Sequence, residues 1–275
     1  RDPALLLQAH HALWATRLTQ GAPAEALEHT RRGTALYEPP HAALAAMYGN
    51  HDPGVCAHVM AAWTLELLGD SDEAAAASRA ALDLAARLRH PFTETFAFVF
   101  AAHLHRFRGD PEAVLAHAGR ATTLAREQGF GLFLAWAATM HGWALAEIGR
   151  SEEGVTEMRR AIASARASGS CQLQTYLLAT LAAGLLRARE AGAALGVVSE
   201  ALALAERTGE RFFEAELHRL EGELHRVVGY PAEAGASVRT PQECFRTALE
   251  IARRQGTREL ERRAAASLEA LGVSR

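Results

Sequence analysis

The chain has no lysine, since all 29 of its basic residues are arginine. This absence excludes a P-loop, a lysine Schiff base and a Ser-Lys dyad from these 275 residues, because each depends on a lysine amine. The formal net charge is −3, so the chain lacks the basic excess of a typical nucleic-acid-binding domain. We therefore expect no nucleic-acid partner.

Cysteine is scarce, and long apolar runs are absent. The three cysteines, Cys56, Cys171 and Cys244, are widely spaced, which favours a reducing compartment over a disulfide framework. No apolar run reaches the roughly 18–20 residues that cross a bilayer, and no signal peptide is visible. We expect a cytoplasmic protein without a membrane partner. Because the chain opens at Arg1 without a methionine, we interpret it as a piece of a longer protein.

What the chain does contain is a repeat of 40 residues. Gly69, Gly109, Gly149 and Gly229 are separated by 40, 40 and 80 residues, and Arg189 stands where the series would have another glycine. Long stretches between these glycines, such as Ser71–Arg89, have helical periodicity and lack proline. Two helices of about 16–18 residues in each period account for this spacing.

Small residues recur in the same register. Three columns of small residues follow the period. They are Ala62, Ala102, Gly142, Ala182 and Gly222; Ala81, Ala121, Ala161, Ala201 and Ala248; and Ala85, Ala125, Ala165, Ala205 and Ala252. Such columns are what closely crossing helices require, because larger side chains would hold the backbones apart.

We predict an all-α fold, a right-handed α-solenoid superhelix of about six helix pairs with a capping helix, as one array over residues 1–275. The units lie approximately at 4–37, 53–89, 91–128, 130–168, 170–208 and 210–255, and the capping helix at 257–271. An insertion around 235–241 is expected inside the second helix of the last unit, bulging outward.

These columns are similar to those of the tetratricopeptide repeat, whose period is about 34 residues. Three segments narrow the resemblance: "LLLQAHHALWAT" at 5–16, "YGNHDPGVCA" at 48–57 and "ALALAERTGERFFEAELHRLEGEL" at 201–224. They resemble the C-terminal region of bacterial multidomain proteins in which a class III adenylate or guanylate cyclase, or another output domain, precedes a signal-transduction ATPase. The 40-residue period is also similar to that of the sensor array of the maltose-regulon activator family.

The string Gly49-Asn50-His51-Asp52 resembles an element of the metallophosphoesterases, in which Asn and His bind two metals. That family also needs metal-binding motifs at strand ends earlier in the chain, and none precedes residue 49. Asp52 followed by Pro53 is instead typical of a helix start, with Asp as the N-cap. We predict a helix start here and no metal hydrolase.

Histidine is frequent, and one group has spacing compatible with a metal. His218, Glu221 and His225 share a helix face, with Glu214 one turn earlier. Such pairs are more often partners in hydrogen bonds on a helix surface. We predict no catalytic residues, no metal site and no cofactor, and therefore a chain that is not itself an enzyme.

In tetratricopeptide arrays the first helix of each unit lines a concave groove, and the resemblance carries that register onto this chain. The positions it selects are rich in aromatic rings in units two to five and almost wholly charged in unit six. The candidate groove residues are Trp63, Phe96, His103, Arg106, Phe107, Trp136, Trp143, Glu147, Tyr176 and Arg187. The alternative is that a tightly wound superhelix buries these rings as core.

The resemblance implies a sensor and scaffold module that does not itself catalyse a reaction. Its groove would bind a peptide, a protein or a small effector, and it would regulate a linked ATPase or cyclase in the parent protein. The alternative is a self-contained adaptor or oligomerisation scaffold. A dry, enclosed aromatic pocket would favour a small molecule, and an open channel with unpaired polar ends would favour a chain segment.

Overall fold

A computed structural model describes residues 2–38, 49–229 and 239–272. Within them the chain forms thirteen helices and no strand, so the all-α prediction is confirmed. The helices are α1 (Pro3–Thr19), α2 (Pro23–Leu36), α3 (Pro53–Leu68), α4 (Ser71–Leu88), α5 (Pro91–Phe107), α6 (Pro111–Gln128), α7 (Gly131–Glu147), α8 (Ser151–Ala167), α9 (Gln174–Arg187), α10 (Ala191–Thr208), α11 (Glu214–Val228), α12 (Pro241–Gln255) and α13 (Arg258–Glu269).

The glycines that define the repeat lie where the helices end. Gly69 follows α3 with a φ of 85°, and Gly129 follows α6 with a φ of 74°. This left-handed conformation is open to glycine without steric cost. Arg189, which replaces a glycine of the series, keeps the same conformation with a φ of 61°. The packing of the repeat therefore imposes the left-handed conformation at this turn, although arginine disfavours that conformation.

The columns of small residues are buried where paired helices cross. Ala121, Ala201 and Ala248 are fully buried. Between α7 and α8 the backbones come closest, because a methyl group on Gly142 would lie only 2.6 Å from the carbonyl oxygen of Gly154. The small side chains thus allow the close crossing that the sequence pattern predicted.

Odd-numbered helices form the inner layer of the superhelix, and even-numbered helices pack on its outside. Each odd helix from α1 to α11 contacts the next odd helix, and α13 contacts both α11 and α3. The inner layer therefore returns to its own beginning. The α-solenoid prediction is confirmed, and this solenoid closes after one turn.

Hydrogen bonds hold the two ends of the array together. The Arg258 guanidinium on α13 lies 2.9 Å from the Asp70 carboxylate and donates to the carbonyl oxygen of Leu68. The Arg211 backbone N–H donates to the Thr19 carbonyl oxygen at 2.7 Å. These contacts join parts of the chain that are about 190 residues apart.

The prediction for the late insertion is wrong in its position. The second helix of the last pair, α12, begins at Pro241, and α11 ends at Val228. Thr240 and Glu243 form a reciprocal capping box at this start, which satisfies amide groups of the first turn. The inserted residues therefore lie between the two helices, and 230–238 are outside the described residues.

None of the helices described is both long and apolar enough to cross a membrane.

We expect Gly154→Ala to lower the free energy of unfolding by about 1–3 kcal/mol, since its methyl group would strike the Gly142 carbonyl oxygen on the facing helix. Gly119→Ala is the matched control, because Gly119 is an exposed helical glycine with open space around it. The control should change stability by less than about 1 kcal/mol, in the stabilising direction. Urea unfolding of the two variants measures both effects, and equal stabilities would contradict the close crossing.

Candidate functional site

Four inward-facing rings fill the middle of the superhelix. Trp63, His103, Phe107 and Tyr176, which we call the plug, are at most 2% exposed. The Trp63 ring lies 5.1 Å from His103, 5.4 Å from Phe107 and 5.7 Å from Tyr176, measured between ring centroids. The plug joins α3, α5 and α9 across the concave side. It divides the space inside the array into two pockets.

The plug is electrically neutral at pH 7. Burial lowers the pKa of His103 to about 3, and the nearby Arg106 adds to the effect. Burial also raises the pKa of Tyr176 to about 12. The His103 Nδ1 and the Tyr176 hydroxyl lie 3.3 Å apart and share a hydrogen bond. Neutral, hydrogen-bonded rings are suited to a water-free position.

On one side of the plug lies a mainly apolar cavity of about 380 Å³, the aromatic pocket. It is built by the N-terminal halves of α3, α5 and α7, with α1 and the segments before α9 and α11. Its rings are Trp14, Trp63, Phe96, Phe100, Trp136 and Phe212, and His11, His51, Cys56 and Glu210 also line it. Concave, mainly apolar pockets of this size are typical binding sites for small ligands.

Two indole groups of this pocket lack hydrogen-bond acceptors. The Nε1 atoms of Trp14 and Trp136 are buried and have no partner among the described residues. Glu210 is satisfied, since the Thr175 hydroxyl donates to its carboxylate at 2.7 Å, although burial raises its pKa. Leaving a buried donor unpaired costs about 1–3 kcal/mol. A ligand with an acceptor atom would remove part of that cost.

The string at 49–52 builds one edge of the aromatic pocket. Asp52 caps α3 by accepting from the Val55 backbone N–H at 2.9 Å, so the predicted helix start is confirmed. His51 stacks on the Phe96 ring at 4.5 Å with an angle of 2° between the ring planes. His51 also forms a cluster with His11 and Cys56, in which one ligand atom of each lies within 4.8 Å of the others.

On the other side of the plug lies a larger cavity of about 870 Å³, the charged cleft. The C-terminal halves of α3, α5, α7 and α9 line it, and α11 and α13 close it. Its charged residues are Glu66, Glu147, Glu216, Glu223, Glu259, Arg106, Arg108, Arg187, Arg219, Arg262 and Arg263. Most of them form ion pairs within the cleft, such as Arg108 with Glu66 at 2.7 Å and Arg187 with Glu147 at 2.8 Å.

Arg106 lies at the floor of this cleft, against the plug. Its guanidinium carbon lies 4.9 Å from the Tyr176 ring centroid, 5.3 Å from Phe213 and 5.8 Å from Trp143. The side chain is buried, and its Nε has no hydrogen-bond partner in the described part of the chain. Cation–π contacts hold this charge in place without saturating its donors.

Glu216 anchors the charges that join α11 to α13. Its carboxylate lies 2.8 Å from Arg219 and 3.6 Å from Arg263, and its side chain is only 5% exposed. Burial alone would raise the pKa of Glu216, but Arg219, Arg263 and Arg106 outweigh it and lower the pKa to about 2. This buried carboxylate therefore stays ionised and ties the last helix to the array.

The structure distributes the ten predicted groove residues over three places. Trp63, Phe96 and Trp136 line the aromatic pocket; Arg106, Phe107, Trp143, Glu147 and Arg187 line the charged cleft; His103 and Tyr176 lie in the plug, which Trp63 and Phe107 also join. Eight of the ten side chains are buried, whereas Glu147 is half-buried and Arg187 is exposed, so the ten residues do not line one open groove. Ligand binding by these residues stays a prediction.

Several residues that line the pockets were not predicted from the sequence. His11, Trp14, His51, Phe212 and Arg263 line the pockets, and each lies outside the helix register that the groove prediction used. They come together because the ends of the array meet. To predict them, one would have to know that the first and last units are in contact, and the spacing of the repeat gives no information about that contact.

The two histidines predicted to share a face of α11 have different neighbours. The His218 Nδ1 lies 3.1 Å from the Glu221 carboxylate, and Arg239 lies 3.0 Å from the same carboxylate. Glu221 and His225 also form a cluster with Cys244 that has the spacing of metal ligands. Glu221 is already engaged by Arg239 and His218.

Comparisons with known proteins support the fold. No protein-family model matches the chain. The uncharacterized protein R02095 of Rhizobium meliloti (strain 1021) is 27% identical over 273 residues, which cover 99% of this chain and 26% of that protein. The chain thus spans about a quarter of the length of this curated relative.

Two solved structures are similar. RapI in its apo form has a TM-score of 0.54 at 11% identity, over 94% of this chain and 96% of that chain. A monomeric mutant of IFIT1 with Gppp-AAAA has a TM-score of 0.42 at 15% identity, over 98% of this chain and 70% of that chain. The likeness to RapI supports the fold alone, that of an array of helical repeats.

We expect the free energy of unfolding of Glu216→Gln to fall less steeply than that of the parent as the pH is lowered. A pKa lowered from 4.5 to about 2 stabilises the fold above pH 4.5, and this stabilisation is lost as the pH falls towards 2. The parent should lose on the order of 3 kcal/mol more than the variant over that range. Glu153→Gln is the control, since Glu153 forms an exposed ion pair worth less than about 1 kcal/mol. Identical pH profiles for parent and Glu216→Gln would contradict the role given to Glu216.

Proposed function

We propose that this chain is a sensor array that binds a small effector in the aromatic pocket and does not itself catalyse a reaction. The observation that carries the proposal is the pocket itself: a cavity of about 380 Å³, lined mainly by rings and closed on one side by the plug. A mainly apolar pocket lined by rings on several sides fits a small molecule better than an extended chain segment.

The lining indicates the chemistry of the effector. Rings on several sides favour a flat, largely apolar body that stacks or packs edge-on. The unpaired indole N–H groups of Trp14 and Trp136 favour a carbonyl or hydroxyl oxygen on that body. The buried Glu210, whose pKa is raised, disfavours an anionic ligand at its end of the pocket. We infer a neutral aromatic or polycyclic compound with one or two acceptor atoms.

The position of the pocket supplies a way to transmit binding. Its walls include Trp14 on α1 and Phe212 just before α11, which belong to opposite ends of the array. An effector that contacts both ends binds the closed superhelix more tightly than an opened one. Binding therefore shifts the array towards closure, and the difference in affinity sets the size of the shift.

The recipient of this signal would be another domain of a longer protein. The chain matches only 26% of the length of its curated relative, which leaves room for further domains in a protein of that kind. We propose that the array regulates a linked ATPase or nucleotide cyclase, as the resemblance implies. Closure would change the surface that the array offers to that domain.

Ala15→Phe should abolish effector binding by filling the aromatic pocket, since Ala15 lines it from α1. With 2-naphthol as the probe, isothermal titration calorimetry should show at least tenfold weaker binding, because the added ring takes the probe's place. Ala12→Phe is the matched control, as Ala12 is exposed on the same helix. Equal affinities for the two variants would contradict the proposed site.

The charged cleft favours a second candidate function, that of an adaptor for a peptide or protein segment. Arg106 offers an incompletely bonded guanidinium at the floor of a cavity of about 870 Å³. A guanidinium in that position suits a carboxylate, which it can bind through two hydrogen bonds. The partner would be an acidic chain segment, either of another protein or of a linked domain.

Ala183→Trp tests the adaptor function, because Ala183 lines the cleft and not the aromatic pocket. Screening of an immobilised library of acidic peptides should find binders of the parent chain that Ala183→Trp loses. Ala193→Trp, on the exposed face of α10, should keep them. A peptide site in the cleft would be contradicted if the peptides bound Ala183→Trp and Ala193→Trp equally well. It would also be contradicted if no peptide bound the parent chain.

A further inference from the structure

Three residues at the edge of the aromatic pocket have the chemistry of a metal site. His11 comes from α1, His51 from the turn before α3, and Cys56 from the first turns of α3. One ligand atom of each lies within 4.8 Å of the other two. We propose that His11, His51 and Cys56 bind a zinc ion, with a fourth position open to the aromatic pocket.

The geometry is close to what zinc requires. Tetrahedral zinc has Zn–N distances near 2.0–2.1 Å and Zn–S distances near 2.3 Å, so its ligand atoms lie about 3.3–3.8 Å apart. The ligand atoms lie within 4.8 Å of one another, so they must move closer together by up to about 1.5 Å to bind zinc. Two imidazoles and a thiolate are ligands that zinc prefers over the oxygen-seeking ions calcium and magnesium.

Packing already holds the ligand side chains in place. The His51 ring is stacked on Phe96, and the His11 ring lies edge-on to Trp14 at 5.2 Å and to His51 at 5.5 Å. These ring contacts limit the movement of the two imidazoles before a metal arrives. An ordered set of ligands loses less conformational entropy on binding.

Two buried polar atoms at the cluster lack partners that a metal site would supply. The His51 Nε2 is buried without a hydrogen-bond partner among the described residues. The Trp14 Nε1, in the same pocket wall as Cys56, is likewise buried without a hydrogen-bond partner in the described part of the chain. With zinc bound, Cys56 is a thiolate, which accepts a hydrogen bond better than a thiol and gives the Trp14 N–H an acceptor.

The protonation states agree with this assignment. Burial lowers the pKa of His11 to about 4 and that of His51 to about 3, so both imidazoles are neutral at pH 7, which is the form that binds metal. Burial raises the pKa of Cys56 to about 12, so the thiol holds its proton until zinc binds. Binding forms two Zn–N bonds and one Zn–S bond and releases the Cys56 proton to solvent.

The three ligands leave one coordination position, and all three residues line the aromatic pocket. Zinc with three protein ligands keeps its fourth position for water or for a bound molecule. The acceptor oxygen of a pocket ligand could therefore replace that water. The zinc site goes beyond the proposed effector function and does not depend on it, because it can be measured with the ion alone.

The test uses Zn²⁺ for stoichiometry and Co²⁺ as a spectroscopic probe, on the whole chain without any effector. Calorimetry should show one Zn²⁺ per chain, and Co²⁺ should produce the near-ultraviolet absorption of a thiolate-to-cobalt charge transfer. Cys56→Ser should remove that absorption. His51→Phe keeps the ring on Phe96 but removes both nitrogens, so it should weaken binding at least about tenfold while leaving the fold intact.

Cys244→Ser is the matched control, because Cys244 is the other buried cysteine and belongs to the second cluster with ligand spacing. It should keep the cobalt absorption. Circular dichroism reports whether each variant folds, and His51→Phe decides the outcome if Cys56→Ser does not fold. The proposal is overturned if the parent binds no Zn²⁺, if the absorption survives Cys56→Ser, or if Cys244→Ser removes it instead.

Discussion

The Trp63 ring occupies the centre of the array, where the inner helices would otherwise leave an open channel. It contacts Phe107 on α5, Tyr176 on α9 and, at 6.2 Å, Phe212 just before α11. Its indole N–H donates to the Phe100 carbonyl oxygen at 3.2 Å, so the ring buries no unpaired donor. Apolar contacts between helices so far apart in sequence favour a tightly wound superhelix. The closure of α13 onto α3 and the division of the interior into two pockets both depend on them.

A change of polarity along each inner helix gives the two pockets their different characters. On α3 the sequence passes from Cys56 through Trp63 to Glu66, and on α5 from Phe96 to Arg106. Because the inner helices lie side by side around the plug, their apolar halves meet in the aromatic pocket and their charged ends meet in the cleft. A small apolar effector and a charged chain segment would thus enter from opposite sides. The plug lies between the two pockets, with Trp63 lining the aromatic pocket and Phe107 lining the cleft.

Local features of the fold could be predicted from the sequence because their causes are local. Glycine at helix ends, alanine at helix crossings, and Asp52 with Pro53 at a helix start each follow from backbone geometry within a few residues. The inward direction of the aromatic side chains also followed from the repeat register.

The closure of the array could not be predicted in this way. It depends on contacts such as Arg258 with Asp70 and Arg263 with the Phe107 carbonyl oxygen, which join positions more than 150 residues apart. Repeat spacing describes neighbouring units only, so it leaves the total curvature of the array undetermined. For the same reason the sequence suggested one open groove where the structure has two pockets, and His11 was not connected with His51 and Cys56. The late insertion was misplaced because the wider spacing from Ala201 to Ala248 shows that residues are added but not between which elements.

The two pockets require that the array closes on itself in solution, with α13 against the end of α3. Dipolar electron paramagnetic resonance measures this directly with spin labels at Asp72 and Ala266, two exposed positions on either side of the junction, after Cys171 is replaced by serine. We predict a single narrow distribution of short distances between the labels. A broad distribution extending to several nanometres would show an open solenoid and would contradict both the plug and the two pockets that depend on it.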